Sequence, residues 1–459
     1  MNYDESVRAL MALGRELAAP QQARVQKFGL ENITTLAEAL GNPHRSIPCA
    51  HIAGTNGKGS TAAMLDSILR AAGLRVGLYT SPHLERINER LRIDGEDISD
   101  DAFAAAWTRV QAAIEPLLAA GKLGAHPTYF ECMTAMAFVA FAEKGIDFAV
   151  YEVGLGGRLD ATNIVQPEVA VITSIDFDHE DFLGHSIEEI ASEKAGIIKP
   201  GAWVVSSAER PEARAVIARR CKELDARLVE IDTTWRVEET DSSGGCYRAV
   251  AAPLHSRKTL AIEPPLPGRF QIRNALAAAT AAHLLSERGF PIDDEAITAG
   301  IRAVRWPGRL ERLRERPAVF LDGTHNPAGA RELLRFWEEN FKGRRILLVY
   351  GAMRDKAVDE IAGLLFPAAD FVILTEPRQP RAISAPLLAE MTSHLAANSA
   401  IVRDPGEALE RAIEMASPED AVFATGSLYL VGDLRSYWHK RTAAELEIGA
   451  RRNPPARKI

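Results

Sequence analysis

Short runs of apolar, β-prone residues alternate with helical patterns along most of the chain, and that alternation leaves few folds open. A strand followed by a crossover helix returns beside its neighbour as a parallel strand, so a parallel-rich sheet wrapped by helices is expected. In the first half the predicted strands are 47–53, 75–80, 148–152 and 169–174, with helices over 60–72 and 130–144. Residues 230–262 read as a small β excursion. The stretch IRAVRWPGRL (301–310) carries Pro and Gly, and beyond it the pattern restarts with strands at 318–321, 345–350, 371–375 and 421–425. Two α/β domains are implied, with any ligand expected outside the carboxyl ends of their strands.

Composition excludes several classes. At 47% hydrophobic and 25% charged residues over 459 positions, the chain reads as an ordinary globular protein able to bury a core in each half. A formal charge of −8 supplies no broad basic field, so neither nucleic acid nor an anionic membrane is an expected partner. Asp4 and Glu5 stand where a secretory leader would carry basic residues. The apolar run 132–142 falls short of the roughly 20 residues that span a bilayer. Four widely spaced cysteines (Cys49, Cys132, Cys221 and Cys246) have no metal spacing and suit buried thiols in a reducing compartment. A cytoplasmic location is expected.

The first predicted strand ends in His51-Ile-Ala-Gly54-Thr55-Asn56-Gly57-Lys58-Gly59-Ser60 and runs into a helix. Glycines let backbone N–H groups close on a phosphate, the helix N-terminus adds positive potential, and Lys58 adds a point charge. The strict phosphate-loop spelling wants Gly at position 52 and Ser or Thr at 59, where this chain has Ile52 and Gly59. A tight strand-to-helix turn is the plain alternative; the strand-Gly-Lys-helix context favours nucleotide binding. The predicted fold is α/β: an N-terminal P-loop ATPase-type domain with a parallel-rich sheet over 1–300, a linker at 301–309, a smaller C-terminal Rossmann-like α/β domain over 310–441, and a flexible basic tail at 442–459.

Three further groups sit at predicted strand ends or on a helix. Glu152 closes an apolar run beside the phosphate loop, where an acid can hold Mg²⁺ or simply be solvated. The run Asp176-Phe-Asp178-His179-Glu180-Asp181 gathers hard oxygen donors around one imidazole, as a divalent cation would want; an acidic loop with an incidental histidine is the alternative. Ser186 and Glu189 form a capping-box pair opening a helix whose apolar stripe Ile187, Ile190, Ala191 puts Lys194 on the same face. By spacing alone, Lys194 reads as a snorkelling lysine with its ammonium in water. If buried, it would favour the neutral amine, which can be nucleophilic or take up CO₂ as a carbamate.

Nine segments in series resemble the Mur ligase superfamily and, within it, the bacterial dihydrofolate synthase/folylpolyglutamate synthase family. They are GTNGKGS (54–60), TSPHL (80–84), TYFE (128–131), EVGLGGRLDATN (152–163), DH (178–179), EKAGI (193–197), RNA (273–275), PGR (307–309) and LDGTHNP (321–327). The resemblance covers roughly residues 20–435 and accounts for the GKGS spelling. It implies that Thr55, Asn56, Gly57, Lys58, Gly59 and Ser60 hold the ATP phosphates, with Asn274, Arg309 and Asp322 also meeting the nucleotide. It implies one Mg²⁺ on Ser81 and Glu152, and a second on Glu152, His179 and Lys194 as a CO₂-derived carbamate; K⁺ is also allowed. Lys58, Lys194, His179 and His325 would be catalytic. The pterin-bearing substrate would lie against Lys27, Phe28 and Gly29, against Thr128, Tyr129, Phe130 and Glu131, and against Leu159, Asp160 and Ala161. His325 and Ser427 would face the incoming glutamate.

Taken alone, several of these residues have plainer readings: Asn274 as a helix cap, Arg309 as a surface charge, 128–131 as a helix start, and Asp322-Gly323 as a turn. KFGL (27–30) carries Lys27 where some dihydrofolate synthases carry an acid. The implied reaction is ATP-dependent ligation of L-glutamate to dihydropteroate or to reduced folate (poly)glutamates through an acyl phosphate, by a monomeric cytoplasmic enzyme of folate biosynthesis and one-carbon metabolism. Closure of the second domain onto the first is expected to accompany it. A peptidoglycan-precursor Mur ligase is the first rival, disfavoured because only about 50 residues precede the phosphate loop. A non-catalytic ATP-gated binding protein is the second.

Overall fold

Strand β1 (Cys49–Ala53) is buried throughout, as an apolar run broken only by His51 in the middle of a parallel sheet should be. After it come β2 (Val76–Tyr79), β3 (Leu91–Ile93), β4 (Glu96–Asp97), β5 (Phe148–Glu152), β6 (Val169–Ile172), β7 (Trp203–Ser206) and β8 (Arg227–Glu230). They form one sheet in the order β4-β3-β2-β5-β1-β6-β7-β8. The pairs from β2 through β8 are parallel, while β3 and β4 run antiparallel at one edge. The chain thus builds away from β1 in both directions, and the order reverses at the β1/β6 boundary, where such sheets bind ligands.

The computed structural model describes residues 1–14, 29–254, 258–395 and 398–452. It divides into two units, Met1–Trp306 and Pro307–Ile459, so the boundary falls inside the predicted linker. The first part of that linker, 301–303, is instead the last turn of the helix Asp294–Ala303.

Side chains alternate across the first unit's sheet. Phe148 and Val150 pack with helices Lys58–Ala71 and Phe270–Glu287, whereas Ala149 and Tyr151 pack with helices Asp100–Ala119 and Tyr129–Lys144. Ala170, Ile172 and Val204 meet helices Ile187–Ala195 and Pro211–Glu223 in a third cluster. The β excursion is a three-stranded antiparallel sheet of β9 (Trp235–Ser243), β10 (Cys246–Pro253) and β11 (Leu260–Ile262).

The second unit holds β12 (Glu311–Glu315), β13 (Ala318–Leu321), β14 (Ile346–Tyr350), β15 (Phe371–Leu374), β16 (Ser399–Ile401) and β17 (Ala421–Thr425), ordered β12-β13-β17-β14-β15-β16. All pairs are parallel except β12–β13. Helix Leu428–Arg452 runs through positions where a loose tail was expected from 442, because Ala, Glu, Leu and Arg there are good helix formers. Cys49, Cys132 and Cys221 are buried and Cys246 half-buried, all of them free thiols. Among the described residues no helix is long and apolar enough to cross a membrane.

The helix that follows the phosphate loop is fixed from outside by close backbone packing. A Cβ on Gly300 would stand 2.3 Å from Ile68 Cα, and Ser67 Oγ donates to Gly300 O at 2.7 Å. Alanine is the better helix former by about 1 kcal/mol. Gly300→Ala is nonetheless expected to destabilise the fold by about 1–3 kcal/mol through overpacking. A urea midpoint equal to or above that of the parent chain would refute this close approach.

Candidate active site

The register of β1 sets its end level with its neighbours: Ile52 lies opposite Glu152 on β5, and Ala53 opposite Ile172 on β6. Beyond β1 the chain turns at Gly54 (φ +151°) and Gly57 (φ +86°), two left-handed positions that also lack room for a side chain. A Cβ on Gly54 would stand 1.8 Å from Thr173 Oγ1, and one on Gly57 2.4 Å from Asn274 Oδ1. The loop is stapled to the end of β6. Thr55 N–H donates to Ser174 O (2.7 Å), Thr55 Oγ1 donates to Asp176 O (2.9 Å), and Thr173 Oγ1 donates to Asn56 O (2.7 Å). Asn274 stands beside Gly57 and donates to Gln271 Oε1 (2.9 Å), while Gln271 Nε2 donates to the buried Ser60 Oγ (3.4 Å). Gly59 faces the Trp306 indole, whose ring would lie 3.1 Å from a Cβ there, and the Arg92 guanidinium covers Trp306 at 5.0 Å.

Two lysines converge on one oxygen. Lys58 Nζ folds back to donate to Gly54 O (2.9 Å) and Thr55 O (3.0 Å), and Lys194 Nζ donates to the same Gly54 O at 2.9 Å. Lys194 is 4% exposed, so the snorkelling read from spacing alone is replaced by an inward-facing amine. Ser186 and Glu189 do cap its helix, as their spacing indicated. Burial, reinforced by the neighbouring Lys58 charge, pulls Lys194 down to about 7. Glu152 is 4% exposed and accepts Ser81 N–H at 3.1 Å.

The acidic run gathers less than its spelling suggested. Asp176 pairs with Arg210 (2.8 Å), and Glu180 and Asp181 are exposed. His179, in a left-handed conformation (φ +52°), has Nε2 3.7 Å from Asp178 Oδ1. Among the described residues no three His, Cys, Asp or Glu side chains converge as a metal set. Mg²⁺ takes one or two carboxylates and completes its shell with phosphate oxygens and water. Glu152 with Ser81 meets this description. His179 and Lys194 could add a second site only with the lysine converted to an anion.

On the other side of Glu152, the residues expected at the pterin separate into two kinds. Phe130 is half-buried with its ring against Gly154, and Leu159 is half-buried. Tyr129 is buried under the Arg90 guanidinium at 5.5 Å. Thr128 and Glu131 are instead joined to each other as the capping box of helix Tyr129–Lys144. Asp160 is buried and bonded to its own loop, and Ala161 opens the short turn behind it. Gly29 is half-buried; Lys27 and Phe28 lie outside the described residues. Sequence reasoning passed over Thr173, Gln271 and Arg90; only Thr173, a polar residue closing an apolar run, carried a signal.

Within the second unit, Asp322 follows β13 and accepts Leu310 N–H (2.9 Å) and Thr324 N–H (3.0 Å). Gly323 N–H donates to Gly308 O (3.0 Å), and Arg309 lies over Gly323. His325 Nδ1 donates to Gly323 O (2.8 Å), and buried Ser427 follows β17 and accepts Tyr429 N–H (3.2 Å). These four side chains therefore gather at the carboxyl ends of β13 and β17.

Comparison with known proteins gives the family. The Mur ligase middle domain matches residues 52–282, and the Mur ligase glutamate ligase domain matches residues 308–428. The chain is 37% identical over 413 residues to a "Dihydrofolate synthase/folylpolyglutamate synthase" of Bacillus subtilis, covering 89% of this chain and 94% of that one. It is 37% identical over 456 residues to a "Probable bifunctional folylpolyglutamate synthase/dihydropteroate synthase" of Halobacterium salinarum; 98% of this chain is covered, but the match spans about half (53%) of that longer relative. The solved structure of Escherichia coli FolC in complex with DHPP and ADP superposes with a TM-score of 0.84 at 32% identity, covering 96% of this chain and 99% of that one. The chain belongs to the Mur ligase family, in its dihydrofolate synthase/folylpolyglutamate synthase branch.

Proposed function

We propose that this chain is an ATP-dependent ligase that joins L-glutamate to dihydropteroate, to reduced folates, or to both. The convergence of Lys58 and Lys194 on Gly54 O, at the end of the strand paired with the one ending in Glu152, carries the reading. A Gly-Lys turn with a buried acid and a second lysine beside it supports the reading, because a structural turn does not require that set.

In this reading Thr55 to Ser60 and Asn274 hold ATP, and Lys58 leaves its own loop carbonyls to meet the phosphates. Ser81 and Glu152 would hold one Mg²⁺, and His179 with Lys194 as a carbamate a second, while K⁺ remains allowed. Bound Mg²⁺ supplies charge neutralisation at the transferring phosphoryl group. A substrate carboxylate oxygen attacks the γ-phosphorus and ADP leaves, giving an acyl phosphate. The glutamate amine then attacks the acyl carbon, phosphate leaves with the C–O electron pair, and the amine proton is released as the amide forms. No protein nucleophile is needed, because ATP provides the activation and the chain provides position and electrostatics. Arg309 and Asp322 for the nucleotide, and His325 and Ser427 for the glutamate, are the second unit's contribution. The domain roles follow the same division: ATP and folate to 1–300, glutamate to 310–441. A chain acting alone, with small-molecule substrates and no nucleic acid or membrane partner, completes the proposal.

The direct test is glutamate-dependent phosphate release from ATP with Mg²⁺ and bicarbonate, comparing 7,8-dihydropteroate with tetrahydrofolate. Turnover with both acceptors would identify a bifunctional enzyme. ATP binding without turnover on either would overturn the reading in favour of an ATP-gated binding protein.

Lys194 supports two sharper expectations. Lys194→Ala is expected to lose ligation and to recover part of it in acetate or formate, whose carboxylate replaces the carbamate; full activity in the variant would remove Lys194 from the mechanism. The second concerns stability in CO₂-free buffer. A lysine held at about 7 when folded and 10.5 when unfolded is protonated in both states below pH 7, so its burial penalty is then fully present. Between those values the unfolded chain binds the extra proton, and stability rises with pH. Lys194→Met should therefore be more stable than the parent near neutral pH, with the gap in urea midpoint shrinking as pH rises toward about 9. A gap constant with pH would mean that the folded amine is not held low.

A further inference from the structure

Behind the loop that follows Glu152, three buried side chains, His51, Thr162 and Asp160, form a line of hydrogen bonds, and the roles above use only Asp160. His51 lies within β1, fully buried, opposite Tyr151 of β5 and Ala170 of β6. Its Nε2 is 2.8 Å from Thr162 Oγ1. The Thr162 hydroxyl donates its single proton to Asp160 Oδ1, so toward His51 it can only accept. The imidazole therefore carries its proton on Nε2, and its Nδ1 has no hydrogen-bond partner among the described residues. Burial pulls His51 down to about 3, which keeps the ring neutral.

Asp160 is where the line ends. Oδ1 accepts the Thr162 N–H (3.0 Å) and hydroxyl, while Oδ2 accepts the Gly154 and Leu155 N–H groups at 3.0 Å each. A carboxylate has about four acceptor positions, and all four are occupied. Beside the contact with the substrate that the sequence leads one to expect of Asp160, this bonding gives it a second role. The carboxylate fixes the two amides that open the glycine loop, at the point where the Phe130 ring rests on Gly154.

We propose that His51 and Thr162 are positioning residues for the acceptor substrate: acting through Asp160, they hold the 154–160 loop and the Phe130 edge in the shape that the substrate meets. The inference rests on the ligase reading, in which Phe130, Leu159 and Ala161 line the acceptor side. It explains why a histidine occupies the middle of an otherwise apolar central strand. The strand that ends in the phosphate loop also carries the anchor of the acceptor loop, so both substrates are registered to one rigid base.

Thr162→Val keeps the shape and removes the hydroxyl that joins the other two groups, whereas Thr162→Ser keeps the hydroxyl. In the phosphate-release assay, Thr162→Val is expected to raise KM for the folate acceptor about ten- to hundredfold while KM for ATP stays within about twofold. Thr162→Ser should restore the acceptor KM to near the parent value. An unchanged acceptor KM in Thr162→Val, or equal rises in both KM values, would overturn the proposal. Hydrogen exchange at the Gly154 and Leu155 amides provides a second measurement independent of turnover. Faster exchange in Thr162→Val than in Thr162→Ser is expected; equal exchange would overturn the positioning role. If the parent chain turns over no folate acceptor, the ligase reading fails and the acceptor role falls with it, while the exchange data still show whether the line of hydrogen bonds holds the loop.

Discussion

Strand β1 is paired in parallel along both edges, with Ile52 facing Glu152 on one side and Ala53 facing Ile172 on the other. Because its neighbours bury opposite faces in different clusters, a one-residue slip would turn each apolar set the wrong way. The register is thereby fixed, and three chain ends arrive at one level: Gly54, Val153 and Thr173. The phosphate loop, Glu152 and the acidic run are delivered from those ends, Lys194 from the helix Ile187–Ala195, and Asn274 from the helix Phe270–Glu287. The sheet core thus sets the site geometry before any polar contact is made.

Electrostatics then make the site responsive. Two amines on one carbonyl oxygen in a largely dry setting cannot both carry full charge without penalty. The strain is relieved if Lys194 loses its proton, if it becomes an anion, or if Lys58 moves to another partner. Each of these is a step that the ligase reading requires.

How much of this was legible in the sequence depended on which force placed each residue. The central strands were readable because burial on both faces demands continuous apolar runs, as in Phe148–Glu152. Strands β3, β4, β8, β12 and β16 were not, because strands at or near sheet edges tolerate mixed polarity, and the short β7 was passed over as well. The position of Lys194 followed from its capping box and helical spacing, but its burial did not; that depends on which side of the helix the sheet end occupies. That Thr128, Glu131 and Asp160 also hold their own helix start and loop was not legible, because a motif does not say which hydrogen bonds its own loop makes. The Thr162 hydroxyl was invisible for the same reason.

The departure of the phosphate loop from its usual spelling has a spatial cause. Position 59 is glycine where a hydroxyl is customary, and the room a side chain would need is filled by the indole of Trp306, the last residue of the first unit. The hydroxyl appears one step later, on Ser60, buried and held by Gln271. Gly59 and Trp306 thus form a size-matched couple joining two distant stretches of chain. Their sizes are exchangeable only together, so anyone redesigning this loop must treat the pair as a single variable.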